Sequence, residues 1–220
     1  MTKQEECPVQ ITAGEVVLEG DLCVPRGARG VVAFAHGSGS SRRSPRNRYV
    51  AQALRSAGLA TLLFDLLTSE EEAQDVETAQ RRFDIGLLAR RLVGATDWLQ
   101  SSEQARHLKL GYFGASTGAA AALVAAAERA DVVGAVVSRG GRPDLAATYL
   151  DRVKAPTLLI VGGRDYQVIE MNRAALAKLN AEKKLEIVPG AAHLFEEPGT
   201  LEKVAHLTGD WFVRYLAAES

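Results

Sequence analysis

The chain has 220 residues, with 26 lysines and arginines against 27 aspartates and glutamates and a formal net charge of -1. That length suits one domain over residues 1–220, and 47% hydrophobic with 24% charged residues excludes disordered, collagenous and low-complexity classes. Near-zero net charge removes the electrostatic footprint of a nucleic-acid binder, and two cysteines, Cys7 and Cys23, do not make a disulfide framework.

In chain order, the polar opening MTKQEECPVQ has no apolar core of a signal peptide, so a soluble, cytoplasmic protein is expected. Val9–Thr12 and Val16–Val24 read as a hairpin turning near Ala13-Gly14. Val31–Ala35 (VVAFA) is a continuous apolar strand that runs into HGSGSSRRS. A helix over Asn47–Ser56 stops at Gly58, and Leu59–Leu67 is the next buried strand. Ser69–Asp75 reads as an acidic loop, leading into one long amphipathic helix over Glu77–Gln100 with Phe83, Leu87, Leu88, Leu92 and Trp98 on its stripe. Then come strand Leu108–Phe113, Ala-rich helix Thr117–Ala130, strand Val132–Val137 and a short helix near Leu145–Leu150. Strand Thr157–Val161, helix Ile169–Leu179, strand Leu185–Val188 and helix Leu201–Leu216 complete the series. The longest apolar run, Ala119–Ala127, is far short of the roughly 20 residues that span a membrane. Apolar strands alternating with helices predict an α/β fold of about eight mostly parallel strands, covered on both faces, with an antiparallel hairpin at one edge.

In such a sheet, ligands bind beyond the carboxyl ends of the strands. Gly114-Ala115-Ser116-Thr117-Gly118 follows a strand and opens a helix, the pattern of a nucleophile elbow with Ser116 at its tip. A serine hydroxyl needs a base to take its proton and an acid to orient that base. Of the four histidines, His193 follows the last strand in a Gly/Ala-rich turn and is the candidate base. His107 precedes a strand and so falls at the opposite edge, His206 lies on the last helix, and His36 is read as structural, bonding loop backbone. Asp165, after Gly162-Gly163, is the candidate acid and completes the chain order Ser, Asp, His; the rival, Asp65, is read as a loop anchor.

HGSGS, GASTG, GGRD and GAAHLF together resemble the α/β-hydrolase superfamily, and its compact dienelactone-hydrolase-like branch in particular, over about Val16 to Leu216. The resemblance implies an eight-stranded sheet with Ser116 as nucleophile, His193 as base and Asp165 as orienting acid. It also implies an oxyanion hole from the backbone N–H of Thr117 and a second N–H from Ser38, with Gly39 as the alternative. Dienelactone hydrolases proper carry a cysteine nucleophile, whereas this position is serine. Only Ser138 to Pro156 separate two strands where relatives insert a cap, so no lid is expected.

The expected reaction is hydrolysis of small carboxylic esters or lactones through an acyl-enzyme, with no cofactor and no metal. Acyl transfer to alcohol, thiol or peroxide, and a non-catalytic ligand-binding role, stay open, as does the oligomeric state. Arg42, Arg43, Arg46, Arg48, Arg139, Arg142 and Arg164 all fall at the carboxyl edge. One reading assigns Arg139, Arg142 and Arg42 to an anionic ester substrate; the other has these cations salt-bridged to Asp65, Glu70, Glu71, Glu72 and Asp144.

Overall fold

The computed structural model describes residues 6–217, so the first half of the polar opening (Met1 to Glu5) lies outside the described residues. β1 (Cys7–Ala13) and β2 (Val16–Cys23) form the expected antiparallel hairpin, joined through Gly14-Glu15 with Ala13 opposite Val16. β3 (Val31–Ala35), α1 (Pro45–Ser56), β4 (Ala60–Phe64), α2 (Ser69–Thr78) and α3 (Ile85–Ser101) follow. β5 (Leu110–Ala115), α4 (Thr117–Glu128), β6 (Val133–Arg139), β7 (Thr157–Gly162), α5 (Tyr166–Lys178), β8 (Lys183–Val188) and α6 (Thr200–Leu216) complete the chain.

The eight strands make one sheet in the order β1-β2-β4-β3-β5-β6-β7-β8. β2 pairs antiparallel with both β1 and β4, and every pairing from β4 across to β8 is parallel. The strand order reverses around β3, which places the ends of β3, β4 and β5 at the switch point where α/β sheets bind ligands. Strands β3, β4, β5 and β7 are buried at every residue. Two apolar layers account for this. α1 and α6 cover one face through Val50, Leu54, Val204 and Phe212, and α3, α4 and α5 cover the other through Leu88, Leu92, Leu123 and Ala175.

α4 reads TGAAAALVAAAE and is buried at every position from Thr117 to Ala127. A helix apolar all round belongs in the interior, and its small side chains let it lie close against the sheet.

The segment between β4 and β5 departs from the sequence expectation. Ser69–Asp75 is not a loop but most of α2, and the single helix expected over Glu77–Gln100 is broken by Ala79 in the left-handed conformation (φ 53°) and a 3-10 turn at Arg81–Phe83. The reason lies at the ends: Thr68 and Glu71 form a reciprocal capping box that starts α2, and the Asp84 carboxylate accepts the Leu87 N–H to start α3. Phe83, expected on the buried stripe, is exposed. Between β6 and β7 the short helix expected at Leu145–Leu150 is replaced by two 3-10 turns, Pro143–Ala146 and Leu150–Arg152, and no lid is inserted. None of the helices among the described residues is long and apolar enough to cross a membrane.

Candidate active site

β5 ends at Ala115 and α4 begins at Thr117, leaving Ser116 alone on the turn with φ 52° and ψ -121°. Positive φ at a non-glycine residue is strained, on the order of 1–3 kcal/mol, and persists only where the surroundings enforce it. Here two flanking glycines permit it. A Cβ on Gly118 would stand 2.2 Å from the Ala35 carbonyl oxygen, and one on Gly114 would stand 2.4 Å from Ala119 Cα. Strand and helix can therefore meet this closely only with glycine two residues either side of the serine.

The turn is pinned from β6: the Ser116 N–H donates to the Arg139 carbonyl (3.1 Å), and the Arg142 N–H donates to the Ser116 carbonyl (3.2 Å). The Thr117 N–H, first in α4, has no backbone acceptor and lies at the positive end of the helix. Across the turn, the Ser38 N–H donates to Thr117 Oγ1 (2.9 Å). The donor expected from Ser38 is thus engaged by a side chain in this state. Its neighbour Gly39 is exposed and holds φ 68°.

His193 follows β8 and Asp165 follows β7. Nδ1–H of His193 donates to Asp165 Oδ2 at 2.6 Å, which leaves Nε2 with its lone pair. Asp165 is the more enclosed of the two, with 16% of its side chain exposed against 39% for His193. The His193 ring packs beside Gly140, two residues before Arg142 and directly after Arg139, so it flanks the same turn that holds Ser116. No hydrogen bond joins His193 to the Ser116 hydroxyl in this structure. The histidine loop has its own brace, which the sequence did not signal: Glu197 accepts the Ala192 N–H (3.1 Å) and pairs with Arg164. The bond from Ala192 is the first reason its carboxyl is held below the usual range. Phe195 enters the core from this loop with φ 54°.

The other histidines fall as their positions predict. His36 is buried, donating from Nδ1 to the Gly37 carbonyl (3.0 Å) and accepting the Leu66 N–H at Nε2 (3.0 Å). His206 is exposed on α6 beside Asp210, and His107 precedes β5 at the far edge. Asp65 accepts the Arg42 N–H (2.7 Å) and pairs with its guanidinium, the anchoring role expected of it. A cleft of about 370 Å³ opens between the HGSGS loop and α2, lined by Ser40, Ser41, Asp65, Thr68, Glu72 and Val76 among others.

Residues 18–213 match the Dienelactone hydrolase family. The chain belongs to that family. A dienelactone hydrolase from Anabaena variabilis of known crystal structure is 64% identical, with a TM-score of 0.96 over 97% of this chain and 100% of that one. An esterase from Pyrococcus furiosus shares the fold at 20% identity and TM-score 0.75, over 97% of this chain and 92% of that chain. Two sequences from Mycobacterium tuberculosis, each named "Putative phosphoribosyl transferase", are 60% identical over 208 residues; these are 94% of this chain and 46% of each relative. The chain therefore spans about half the length of the curated relatives it matches.

The family's α/β-hydrolase fold brings the arginines to one edge, and the structure separates them. Arg42 is neutralised by Asp65 and by Glu19 (2.6 Å), with Asp21 at 3.6 Å, and Arg142 makes a two-pronged pair with Asp144 (2.9 and 2.8 Å). Both are engaged by neighbouring carboxylates, as the salt-bridge alternative for these cations expects. Arg48 pairs with Glu6 and Arg164 with Glu197. Arg139 differs: it is buried and pairs with no carboxylate among the described residues. Among the described residues of this hydrolase-family chain, no group of three His, Cys, Asp or Glu side chains is arranged to hold a metal ion.

Proposed function

We propose that the chain is a serine hydrolase of small carboxylic esters or lactones, with Ser116 as nucleophile, His193 as base and Asp165 as its orienting acid. The observation that carries this reading is the Asp165–His193 bond of 2.6 Å beside a serine held at positive φ on a strand-to-helix elbow. With Nδ1–H committed to Asp165, Nε2 faces the reaction as an acceptor. It takes the hydroxyl proton as Ser116 Oγ bonds to the ester carbonyl carbon, and the carbonyl electrons move onto oxygen. The Thr117 N–H stabilises that oxyanion, joined by Ser38 once its N–H leaves Thr117 Oγ1, or by Gly39. Collapse breaks the carbon–alkoxide bond, and His193 returns the proton to the departing alcohol. Water then repeats the sequence on the acyl-enzyme, releasing acid and free Ser116.

The uncapped edge supports small substrates over long acyl chains, since only two 3-10 turns stand between β6 and β7. Free cysteines at Cys7, which is exposed, and Cys23 support a cytoplasmic setting. The transferase name of the mycobacterial relatives belongs to proteins about twice the length of the matched region. Acyl transfer from the same acyl-enzyme is the reading to compare, by adding methanol and following product partition.

Labelling with a fluorophosphonate and turnover of p-nitrophenyl acetate test the proposal. Ser116→Ala is expected to abolish the label and to lower kcat by about 10⁶-fold, and Asp165→Asn to lower it by about 10⁴-fold. Unchanged label and turnover in Ser116→Ala would refute the assignment.

A further inference from the structure

Arg139 closes β6, directly beside Ala115 in the sheet register, with its guanidinium carbon 5.9 Å from the Phe113 ring centre. It is only 7% exposed, and neither its Nε nor its Nη1 has a hydrogen-bond partner among the described residues. The charged group that acts on it is a second cation, Arg46, in the first turn of α1. Arg46 Nε is also buried without a partner, and its Nη1 reaches Glu196 (3.2 Å), whose side chain is 67% exposed. Burial first, and Arg46 second, push the Arg139 guanidinium down to about 10, which leaves it charged at neutral pH. Buried guanidinium groups are ordinarily paired with an anion. Here Arg139 has none among the described residues, and the half-buried Arg46 beside it has only the largely solvated Glu196.

Their position ties them to the candidate active site. The Arg139 carbonyl holds the Ser116 N–H, Gly140 packs on the His193 ring, and Glu196 belongs to the loop that carries His193. A group bound by this pair would belong to the molecule whose ester meets Ser116. Three orphaned nitrogens, Nε and Nη1 of Arg139 and Nε of Arg46, come from two separate elements, and α1 adds the positive end of a twelve-residue helix. A carboxylate offers two oxygens in one plane, whereas a tetrahedral group offers three terminal oxygens out of plane, which suits donors arriving from two elements.

We propose that Arg139 and Arg46 form a subsite for a phosphate group, so that the substrate is a small carboxylic ester that also bears a phosphate. The subsite rests on the ester-hydrolase reading only for what happens at Ser116. The test is calorimetric titration of inorganic phosphate into the wild type, Ser116→Ala, Arg139→Met and Arg46→Gln, with succinate as the carboxylate control. Folding of each variant is checked by circular dichroism. One phosphate is expected to bind the wild type and Ser116→Ala alike. Affinity should fall at least tenfold in Arg139→Met and, if that variant does not fold, in Arg46→Gln, whose side chain is partly exposed. Phosphate binding that survives both substitutions, or no phosphate binding by the wild type, overturns the subsite. Succinate bound as tightly, with the same loss on substitution, overturns the choice of phosphate. Because Ser116→Ala binds without turnover, phosphate binding in a protein inactive on esters would keep the subsite and remove only the esterase reading.

Discussion

His36 shows how one buried ring ties two loops and makes the fold sensitive to pH. Its two hydrogen bonds, to the Gly37 carbonyl and from the Leu66 N–H, require the neutral Nδ1–H tautomer. Burial is the main reason its pKa is depressed, outweighing the attraction of Asp65 and Glu72 for a proton. The unfolded chain binds that proton near pH 6.5, so between there and the lower folded value the unfolded state holds more protons. Stability is therefore complete above about pH 6.5 and declines as pH falls through that window, by up to about 1.4 kcal/mol per unit. Calorimetric melting at pH 7, 6 and 5 is expected to show His36→Gln less stable at pH 7 but with a shallower acid decline than the wild type. Parallel declines would show that other groups set the pH dependence. The residue types that punctuate the candidate site were legible because each has a local cause: a serine between glycines two residues away, an aspartate and a histidine directly after strands. The engagement of Ser38 by Thr117 was not legible, since it joins two turns far apart in sequence.

At the scale of the element, α2 is the instructive case. Its sequence, SEEEAQDVET, has little apolar face and reads as a solvated run; it folds because its start is chemically specified. Thr68 Oγ1 accepts the Glu71 N–H (3.2 Å), Glu71 Oε2 accepts the Thr68 N–H (2.9 Å), and Glu71 Oε1 also holds Arg91 on α3 (2.7 Å). At its far end, buried Asp75 collects the N–H of Arg81 and Arg82 together with the Arg82 guanidinium. That tertiary demand turns the chain at Ala79, where no glycine or proline announces a break. Thr68→Ala is expected to cost about 1 kcal/mol in urea unfolding and to speed amide exchange across 69–78 more than across α3. Uniform exchange in the two helices would mean that the cap does not define α2 as a local unit.

For the whole molecule, the sheet is continuous and both faces are sealed, so distant changes act on one cooperative unit. Phe212 on α6 is fully buried and lies over Gly111 of β5, where an added Cβ would come within 2.7 Å of its ring. Phe212→Ala is expected to destabilise the protein by about 3–5 kcal/mol with an unchanged urea m-value. A lowered m-value would show that the α1/α6 layer unfolds apart from the rest. What the sequence alone determined is the set of strands, their largely parallel arrangement and the residues that end them, because burial on both faces and strand-to-helix punctuation are written in neighbouring residues. Tertiary structure alone decided which charges are spent. Arg42 finds Glu19 and Asp65, Arg142 finds Asp144, and Arg139 finds no carboxylate among the described residues; a charge is neutralised by whichever segment the fold brings within reach, and sequence spacing does not report that distance.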